Sequence, residues 1–388
     1  MNEPTPAALA PERTGHFPEL DSLRGLAALV VVFSHYFGLW SLDTLDTGQR
    51  ALFGQILYPL FNGRSSVILF FVLSGFVLTL PYVRGRPPRY SVFIRRRLAR
   101  IYLPYVAALT LGVAADVLLA RPILVNSWFS QTWTMPVTPG LVADHVLLVG
   151  TYPDAQINTA FWSLAVEMRL SIIFPLLCLL LLRAGWPMVL SLVAATSAFT
   201  VLTPHFLAGR LGVETYNAVV GTSLGLLSFA LGILLARHLE GVRGVWGQLG
   251  PAQRAAAFLA ALVLFEWASN LGRTRFAPLQ NSVAAAGAAG ILASSLCSRR
   301  SRQLLNRPFA AWLGRISYSL YLVHGTVLFA LVHATYGTFS RLQLLVPFLG
   351  LSLAIAQAFY VLVEKPCIGL SSRLGRAEAD RQLRTATV

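Results

Sequence analysis

The feature that most restricts this chain is a series of apolar runs, each long enough to cross a lipid bilayer. A transmembrane helix needs roughly 17–25 mainly apolar residues. Only 12% of the 388 residues are charged and 55% are hydrophobic, whereas soluble domains carry about 25% charged residues. The sequence therefore predicts an all-α membrane protein, a bundle of about ten transmembrane helices. The predicted spans are 20–39, 65–83, 101–120, 159–183, 187–204, 218–238, 253–270, 280–297, 316–335 and 344–363.

Basic residues gather in the loops on one side of the predicted bundle. They occupy the loop after the second span, the loop after the eighth span and the C-terminal tail: Arg84, Arg86, Arg89, Arg95, Arg96, Arg97 and Arg100; Arg299, Arg300, Arg302 and Arg307; Lys365, Arg373, Arg376, Arg381 and Arg384. Because cytoplasmic loops carry an excess of Lys and Arg, ten spans place both termini in the cytoplasm. The chain then divides into a cytoplasmic segment at 1–19, a membrane domain at 20–366 and a cytoplasmic tail at 367–388.

The basic balance does not predict a nucleic-acid partner. The net charge is +15, but the arginines are distributed between apolar runs rather than collected in one polar domain. Three cysteines, Cys178, Cys297 and Cys367, have no CxxC spacing, so neither a disulfide framework nor a zinc site is expected. We expect no metal and no permanently bound cofactor.

Arg24 and His35 share one face of the first predicted span. They are eleven positions apart, which is nearly three full helical turns, or about 16 Å along the axis. Ionisable residues inside a membrane are functional by default, and imidazole titrates near neutral pH as a general base must. The structural alternative is that Arg24 anchors the helix at the interface while His35 hydrogen-bonds a neighbouring helix.

Six stretches together resemble acyltransferase family 3, the integral membrane O-acyltransferases that use acyl-CoA. In chain order they are 20–36 (LDSLRGLAALVVVFSHY), 70–76 (FFVLSGF), 93–104 (FIRRRLARIYLP), 161–167 (FWSLAVE), 316–324 (ISYSLYLVH) and 363–366 (VEKP). Each motif is weak by itself, but their shared order and the helical topology make the resemblance specific. One departure follows Glu167, where the family usually has aromatic residues and this chain has Arg169, which can alter the acceptor cavity.

The resemblance implies a bundle of ten helices, an acyl-CoA donor on the cytoplasmic side and transfer to a hydroxyl, often on a sugar. It also implies that Arg24 and His35 are essential, with His35 as the catalytic residue. Arg97 and Arg100 are implied to be functional as well. Their three-residue spacing places them on one side of an α-helix, where they either bind CoA phosphates or only set the topology.

The remaining candidates each have a structural reading beside the functional one. Glu167 either orients a reacting group or forms a structural pair with an arginine. Ser74 either lies near a developing oxyanion or belongs to a small-residue packing surface. Tyr318, Tyr321 and His324, on successive turns of the ninth span, either line the donor cavity or anchor the helix at the interface.

Two further expectations concern the connection 121–158 and the end of the last span. The apolar stretch 141–149, in the long connection 121–158, is too short to span and predicts a re-entrant or interfacial segment. Glu364, before Pro366, is expected to end the last helix and tether it to a basic partner.

The preferred function is transfer of a short acyl group from acyl-CoA to a hydroxyl of a carbohydrate-containing acceptor, in a bacterial cytoplasmic membrane. The catalytic set is Arg24, His35 and Glu167. The donor-binding set is Ser74, Arg97, Arg100, Tyr318, Tyr321 and His324. The alternative is a proton-coupled transporter or flippase, but the sequence shows no inverted repeat or paired interrupted helices. The oligomeric state, and direct transfer against an acyl-enzyme, stay open.

Overall fold

The computed structural model describes residues 17–38, 60–121, 129, 132–151, 156–202, 210, 212–270, 277–336 and 338–386. Within these ranges the regular structure is helical, with no strand. The helices are α1 (Pro18–Gly38), α2 (Gly63–Val83), α3 (Tyr90–Arg97), α4 (Leu103–Leu119), α5 (Pro139–Leu147), α6 (Phe161–Ala184), α7 (Trp186–Leu202), α8 (Val213–Arg237), α9 (Leu239–Gln248), α10 (Pro251–Asn270), α11 (Ala277–Cys297), α12 (Arg299–Leu305), α13 (Pro308–Thr335), α14 (Arg341–Phe359) and α15 (Lys365–Ala386). Two π-helical segments, π1 (Leu98–Tyr102) and π2 (Tyr360–Glu364), join α3 to α4 and α14 to α15.

A helix lies at each of the ten stretches predicted to span the membrane. Within the described part of the chain, seven helical segments are long and apolar enough to cross a bilayer, or eight if α11 and α12, bent by 93°, form one broken span. The helices α7 and α10 lie at the other two predicted stretches. The all-helical membrane fold is confirmed, and the total of ten spans stays a prediction.

Large apolar side chains on the outside of the bundle match a lipid environment. Leu118 is 79% exposed, Val346 is 75% exposed and Leu362 is 74% exposed. On a water-soluble protein such residues would form a large apolar patch, which soluble monomers rarely show. Here they lie on helices of spanning length, where hydrocarbon is their solvent.

The most buried of the spanning helices is α13, and α1 crosses it at a pair of glycines. A Cβ on Gly25 would lie 2.5 Å from the backbone nitrogen of Gly314, and a Cβ on Gly314 would lie 2.6 Å from the carbonyl oxygen of Asp21. Small residues let helix backbones approach closely in membranes. This crossing fixes the residues of α1 against those of α13.

The last span does not end where the sequence predicted. Glu364 and Pro366 were expected to terminate the helix, but π2 passes directly into α15. In π2 the N–H of Lys365 bonds to the carbonyl of Tyr360, five residues back. Proline lacks the N–H that an α-helix would use, and the wider π turn brings the chain past this position without ending the helix.

The connection 121–158, called the outer connection because the predicted ten-span topology puts it outside the cytoplasm, contains the short helix α5, at the apolar stretch predicted to be re-entrant or interfacial. The Thr138 side chain accepts from the N–H of Leu141 and caps its N-terminus. Tyr102, the last residue of π1, and Tyr105 of α4 donate hydroxyl hydrogen bonds to the carbonyls of Val146 and His145 at 2.8 Å each. These contacts hold α5 against α4.

Candidate active site

Arg24 and His35 lie on one unbroken helix, α1, as the sequence predicted. Both side chains are partly buried. Their separation along the helix axis is about 16 Å. Each lies beside groups from other parts of the chain, so α1 connects a basic cluster at one end with an imidazole pair at the other.

His35 contacts a second histidine, His324 of α13. The Nε2 of His324 lies 3.0 Å from the Nδ1 of His35, and the ring centroids are 5.0 Å apart. His324 is fully buried. Sequence reasoning placed His324 with the donor-binding residues, whereas the structure places it against the predicted catalytic histidine.

The basic cluster combines Arg24 of α1 with Arg97 and Arg100. Arg100 lies within electrostatic reach of Arg24 and Arg97, and also of two carboxylates, Asp21 and Glu364. Arg24 itself pairs with Asp21 at 3.5 Å. Three guanidinium groups therefore converge from two separate segments of the chain. Guanidinium groups keep their charge and match phosphate geometry, so this cluster is suited to a phosphorylated ligand.

Arg97 and Arg100 have different partners, and the chain that follows Arg97 is π-helical. In π1 the N–H of Leu103 bonds to the carbonyl of Leu98, five residues back, and this widens the turn. Arg97 lies just before the wide turn and donates to Glu167 and Ser171 of α6. The sequence argument from three-residue spacing assumed a regular α-helix, which this segment does not form.

Glu167 is held by two donors from different helices. Its Oε1 accepts from Arg97 at 2.7 Å and from the Ser74 hydroxyl at 3.0 Å. The carboxylate is thus paired with an arginine, as one of its two predicted readings required. Neighbouring Gly75 packs directly on the backbone of Phe229, so this part of α2 both packs against α8 and holds Glu167.

The two tyrosines of α13 connect it to other elements. The Tyr318 hydroxyl donates to the carbonyl of Ile101 in π1 at 2.8 Å. The Tyr321 hydroxyl lies 2.6 Å from the Ser163 hydroxyl of α6. Together with the contact of His324 on α1, three successive turns of α13 bind three different segments. The sequence left these residues either as a cavity lining or as interface anchors, and the structure shows each of them in a contact with another segment.

The family comparison decides what kind of protein carries this arrangement. A family model described as an acyltransferase domain, that of acyltransferase family 3, matches residues 17–361. The chain belongs to acyltransferase family 3. It is therefore an acyltransferase, and its apolar helices make it a multi-pass membrane protein.

This acyltransferase is 25% identical over 386 residues to nodulation protein 10 of Rhizobium leguminosarum bv. viciae, an alignment that covers 93% of this chain and 96% of the relative. No solved structure matches the acyltransferase.

Glu364 of the acyltransferase binds α13 next to Tyr318. Its Oε2 accepts from the backbone N–H of Ser319 at 3.1 Å and from the Ser319 hydroxyl at 2.5 Å. It also lies within electrostatic reach of Arg100 and Arg24. The predicted basic partner is therefore present, and Glu364 joins the last span to the basic cluster.

Three polar residues that support the site were not singled out from the sequence: Ser163, Ser319 and Asn158. Asn158 Nδ2 donates to the carbonyl of Leu322 at 3.1 Å and to the Thr326 hydroxyl at 3.3 Å. Ser163 and Ser319 lie inside the quoted motifs, so their position beside Trp162 and Tyr318 was a usable signal. Asn158 lies before α6 and had no such signal.

Arg169 of the acyltransferase, the departure from the family pattern, supports the outer connection. It donates to the carbonyls of Val149 (3.0 Å) and Gly150 and to the Thr222 hydroxyl (3.2 Å). A small pocket beside it is also lined by Trp162, among other residues of α6 and α8. Helical periodicity places this pocket on the face of α6 away from Glu167.

Among the described residues, no group of three or more His, Cys, Asp or Glu side chains could hold a metal ion. The candidate site consists of the basic cluster, the Glu167 network and the imidazole pair.

Proposed function

We propose that this protein transfers a short acyl group, such as acetyl, from acyl-CoA to a hydroxyl of a carbohydrate-containing acceptor, in a bacterial cytoplasmic membrane. One observation carries the proposal: α1 presents Arg24 in a cluster of arginines and, about 16 Å along the same helix, His35 in contact with a second imidazole. A phosphorylated head and a reactive thioester are separated by a flexible arm in acyl-CoA, and α1 offers one site for each.

The donor's phosphates bind at Arg24 and Arg100 in this proposal. Both guanidinium groups lie near the carboxylates of Asp21 and Glu364, which reduce the repulsion between the two arginines. Arg97 is already bound to Glu167 and Ser171. It therefore adds positive potential and holds the end of α3 against α6, while Arg100 is the exposed group of the pair. Charge-assisted hydrogen bonds to phosphate are about twice as strong as neutral ones.

His35 acts as the general base in a direct transfer. Its Nε2 removes the proton of the acceptor hydroxyl as the oxygen attacks the thioester carbonyl carbon. The carbon–oxygen bond forms, the carbon–sulfur bond breaks, and the proton passes from His35 to the departing CoA thiolate. Base catalysis of this kind contributes typically about 10²–10⁴-fold in rate.

The acceptor class follows from the family resemblance. Members of acyltransferase family 3 often act on sugars, and the chain has the family motifs from 20 to 366. Under the positive-inside rule, the arginine-rich loops favour a cytoplasmic position for the donor cluster. A membrane-embedded transfer site then lies between a cytoplasmic donor and a carbohydrate acceptor.

The test uses purified protein in detergent with acetyl-CoA, and with water or simple methyl glycosides as acceptors. Release of free CoA thiol measures turnover, and the shift in melting temperature with added CoA measures donor binding. His35→Ala should lower turnover by about 10²-fold or more while CoA still raises the melting temperature. The matched control is His238→Ala, because His238 is exposed at the junction of α8 and α9.

Two results would overturn the proposed function. One is a wild-type melting temperature that CoA does not change, because the donor would then not bind. The other is equal turnover by wild type and His35→Ala. Loss of turnover in His238→Ala as well would show that the assay reports folding rather than chemistry.

A further inference from the structure

The contact between His35 and His324 has a direction that the surrounding carbonyl groups determine. The Nδ1 of His324 lies 3.0 Å from the carbonyl oxygen of Leu320 and 2.9 Å from that of Tyr321. A carbonyl oxygen can only accept a hydrogen bond, so this Nδ1 carries a hydrogen. In a neutral imidazole the other nitrogen is then an acceptor. The Nε2 of His324 therefore presents a lone pair to His35.

The state of His35 follows from that of His324. Its Nδ1 is the atom that faces the His324 lone pair, at 3.0 Å. Two facing lone pairs would repel, so the Nδ1 of His35 carries a hydrogen and donates it. The hydrogen bond of His35 to the backbone of Val31 is compatible with the same donor. Neutral His35 then carries its basic lone pair on Nε2.

We propose that His324 is a positioning residue that selects the Nδ1–H tautomer of His35 and thereby makes Nε2 the base. The inference rests on the proposed function, in which Nε2 takes the acceptor proton. Isolated imidazole side chains favour the opposite tautomer, with hydrogen on Nε2, which leaves no lone pair there. His324 and its two backbone carbonyls reverse that preference.

The fold holds this pair in register from both sides. The Gly25–Gly314 crossing brings the backbones of α1 and α13 together. Gly325, the residue after His324, has no side chain, and the side chain of Asn158 fills the space that a Cβ would occupy. Asn158 also donates to the carbonyl of Leu322. One turn before His324, the Tyr321 hydroxyl is bound to Ser163. The buried ring of His324 is thus fixed relative to α1.

A pair of substitutions separates the tautomer effect from packing. His324→Leu introduces an apolar side chain of similar size and removes the Nε2 acceptor. His324→Gln can instead place an amide oxygen near the position of Nε2. We expect His324→Leu to lower kcat by about 100-fold or more, since loss of the correct tautomer costs as much as about 10⁴-fold in a serine protease. His324→Gln should recover at least about 10-fold of that loss. The KM for acetyl-CoA should stay within about 3-fold in both, because the donor cluster is about 16 Å away along α1.

Nitrogen-15 NMR of histidine-labelled protein tests the inference without turnover. The chain has seven histidines, and the difference between wild type and His35→Ala assigns the signals of His35. Wild type should show His35 with hydrogen on Nδ1, and His324→Leu should shift it toward Nε2–H.

The outcomes of the two measurements are distinguishable. Inactive His35→Ala together with wild-type kcat in His324→Leu would overturn this inference and leave the proposed function intact. A wild-type His35 with hydrogen on Nε2 would also overturn it, whatever the activity. Equal loss in His324→Leu and His324→Gln, with no tautomer shift between them, would reduce His324 to a packing residue.

Discussion

Arg97 and Arg100 are arginines three positions apart that differ in their exposure and in their partners. They are therefore expected to have different roles. Arg97 is mostly buried, with 12% of its side chain exposed, and binds Glu167. Arg100 is exposed and lies near Arg24. A guanidinium group that already binds a carboxylate has fewer donors left for a phosphate, so Arg100 is the better candidate for direct donor contact.

Replacing Arg100 should therefore weaken donor binding more than catalysis. Hydrogen bonds to charged groups contribute about 1.5–3 kcal/mol, so Arg100→Gln should raise the KM for acetyl-CoA by about 10–100-fold, with a small change in kcat. Steady-state kinetics at several donor concentrations measures both. Arg95→Gln is the matched control, because Arg95 is exposed and donates to the carbonyl of Ser91 in its own helix. An equal KM increase in Arg95→Gln would show that only the overall positive potential matters.

At the residue scale, sequence reasoning identified the ionisable groups but not their partners. Arg24 and His35 could be placed on one face because helical periodicity is regular within α1. His324 could not be placed beside His35, since no local pattern states which helices cross or at what height. The π-helical segment that contains Arg100 was not predicted, because a π turn leaves no clear mark in the sequence.

Helix crossings set by glycines determine which side chains meet. At the α1–α13 crossing, the atoms that a Cβ on Gly25 would meet are backbone atoms of Gly314 and Leu313. The backbone of a buried helix cannot move aside as a flexible side chain does. The crossing is therefore a requirement for the His35–His324 contact, two and a half turns or more farther along α1.

Adding one methyl group at this crossing should separate the two helices. Gly25→Ala should lower stability by about 1–3 kcal/mol, the usual effect of overpacking, and should also lower turnover because the imidazole pair loses its register. Thermal unfolding in detergent and CoA release measure the two effects. Gly241→Ala is the matched control, since Gly241 lies in α9 with nothing within 4 Å of an added Cβ. Equal melting temperatures for both variants would contradict the close crossing.

At the element scale, the positions of the helices were predictable and their interruptions were not. Apolar length marked a helix at each of the ten predicted stretches. The ninth predicted span begins at 316, directly after Arg315, whereas α13 begins at Pro308 with the mainly apolar residues 308–314. The last span was predicted to end before Pro366, and this was wrong. Proline normally ends a helix, but here π2 leads directly into α15.

The distribution of charge over the whole molecule predicts its orientation in the membrane. The basic helix α12 and the basic tail helix α15 are separated from the outer connection, around α5, by spans of mainly apolar residues. Cytoplasmic loops retain positive charge. The donor cluster at Arg24 and Arg100 then faces the compartment in which acyl-CoA is made, which is a condition of the proposed function.

Single cysteines test that orientation directly with a membrane-impermeant maleimide on intact spheroplasts. Met135 is 49% exposed in the outer connection and Leu304 is 58% exposed in α12. Met135→Cys should be labelled at once, and Leu304→Cys should be labelled only after the membrane is permeabilised. The unmodified chain is the control: Cys178 is buried, and Cys297 and Cys367 lie by the basic segments, so no labelling is expected from outside. Labelling of Leu304→Cys in intact spheroplasts would place the arginine cluster outside the cell, away from acyl-CoA, and would contradict both the topology and the donor.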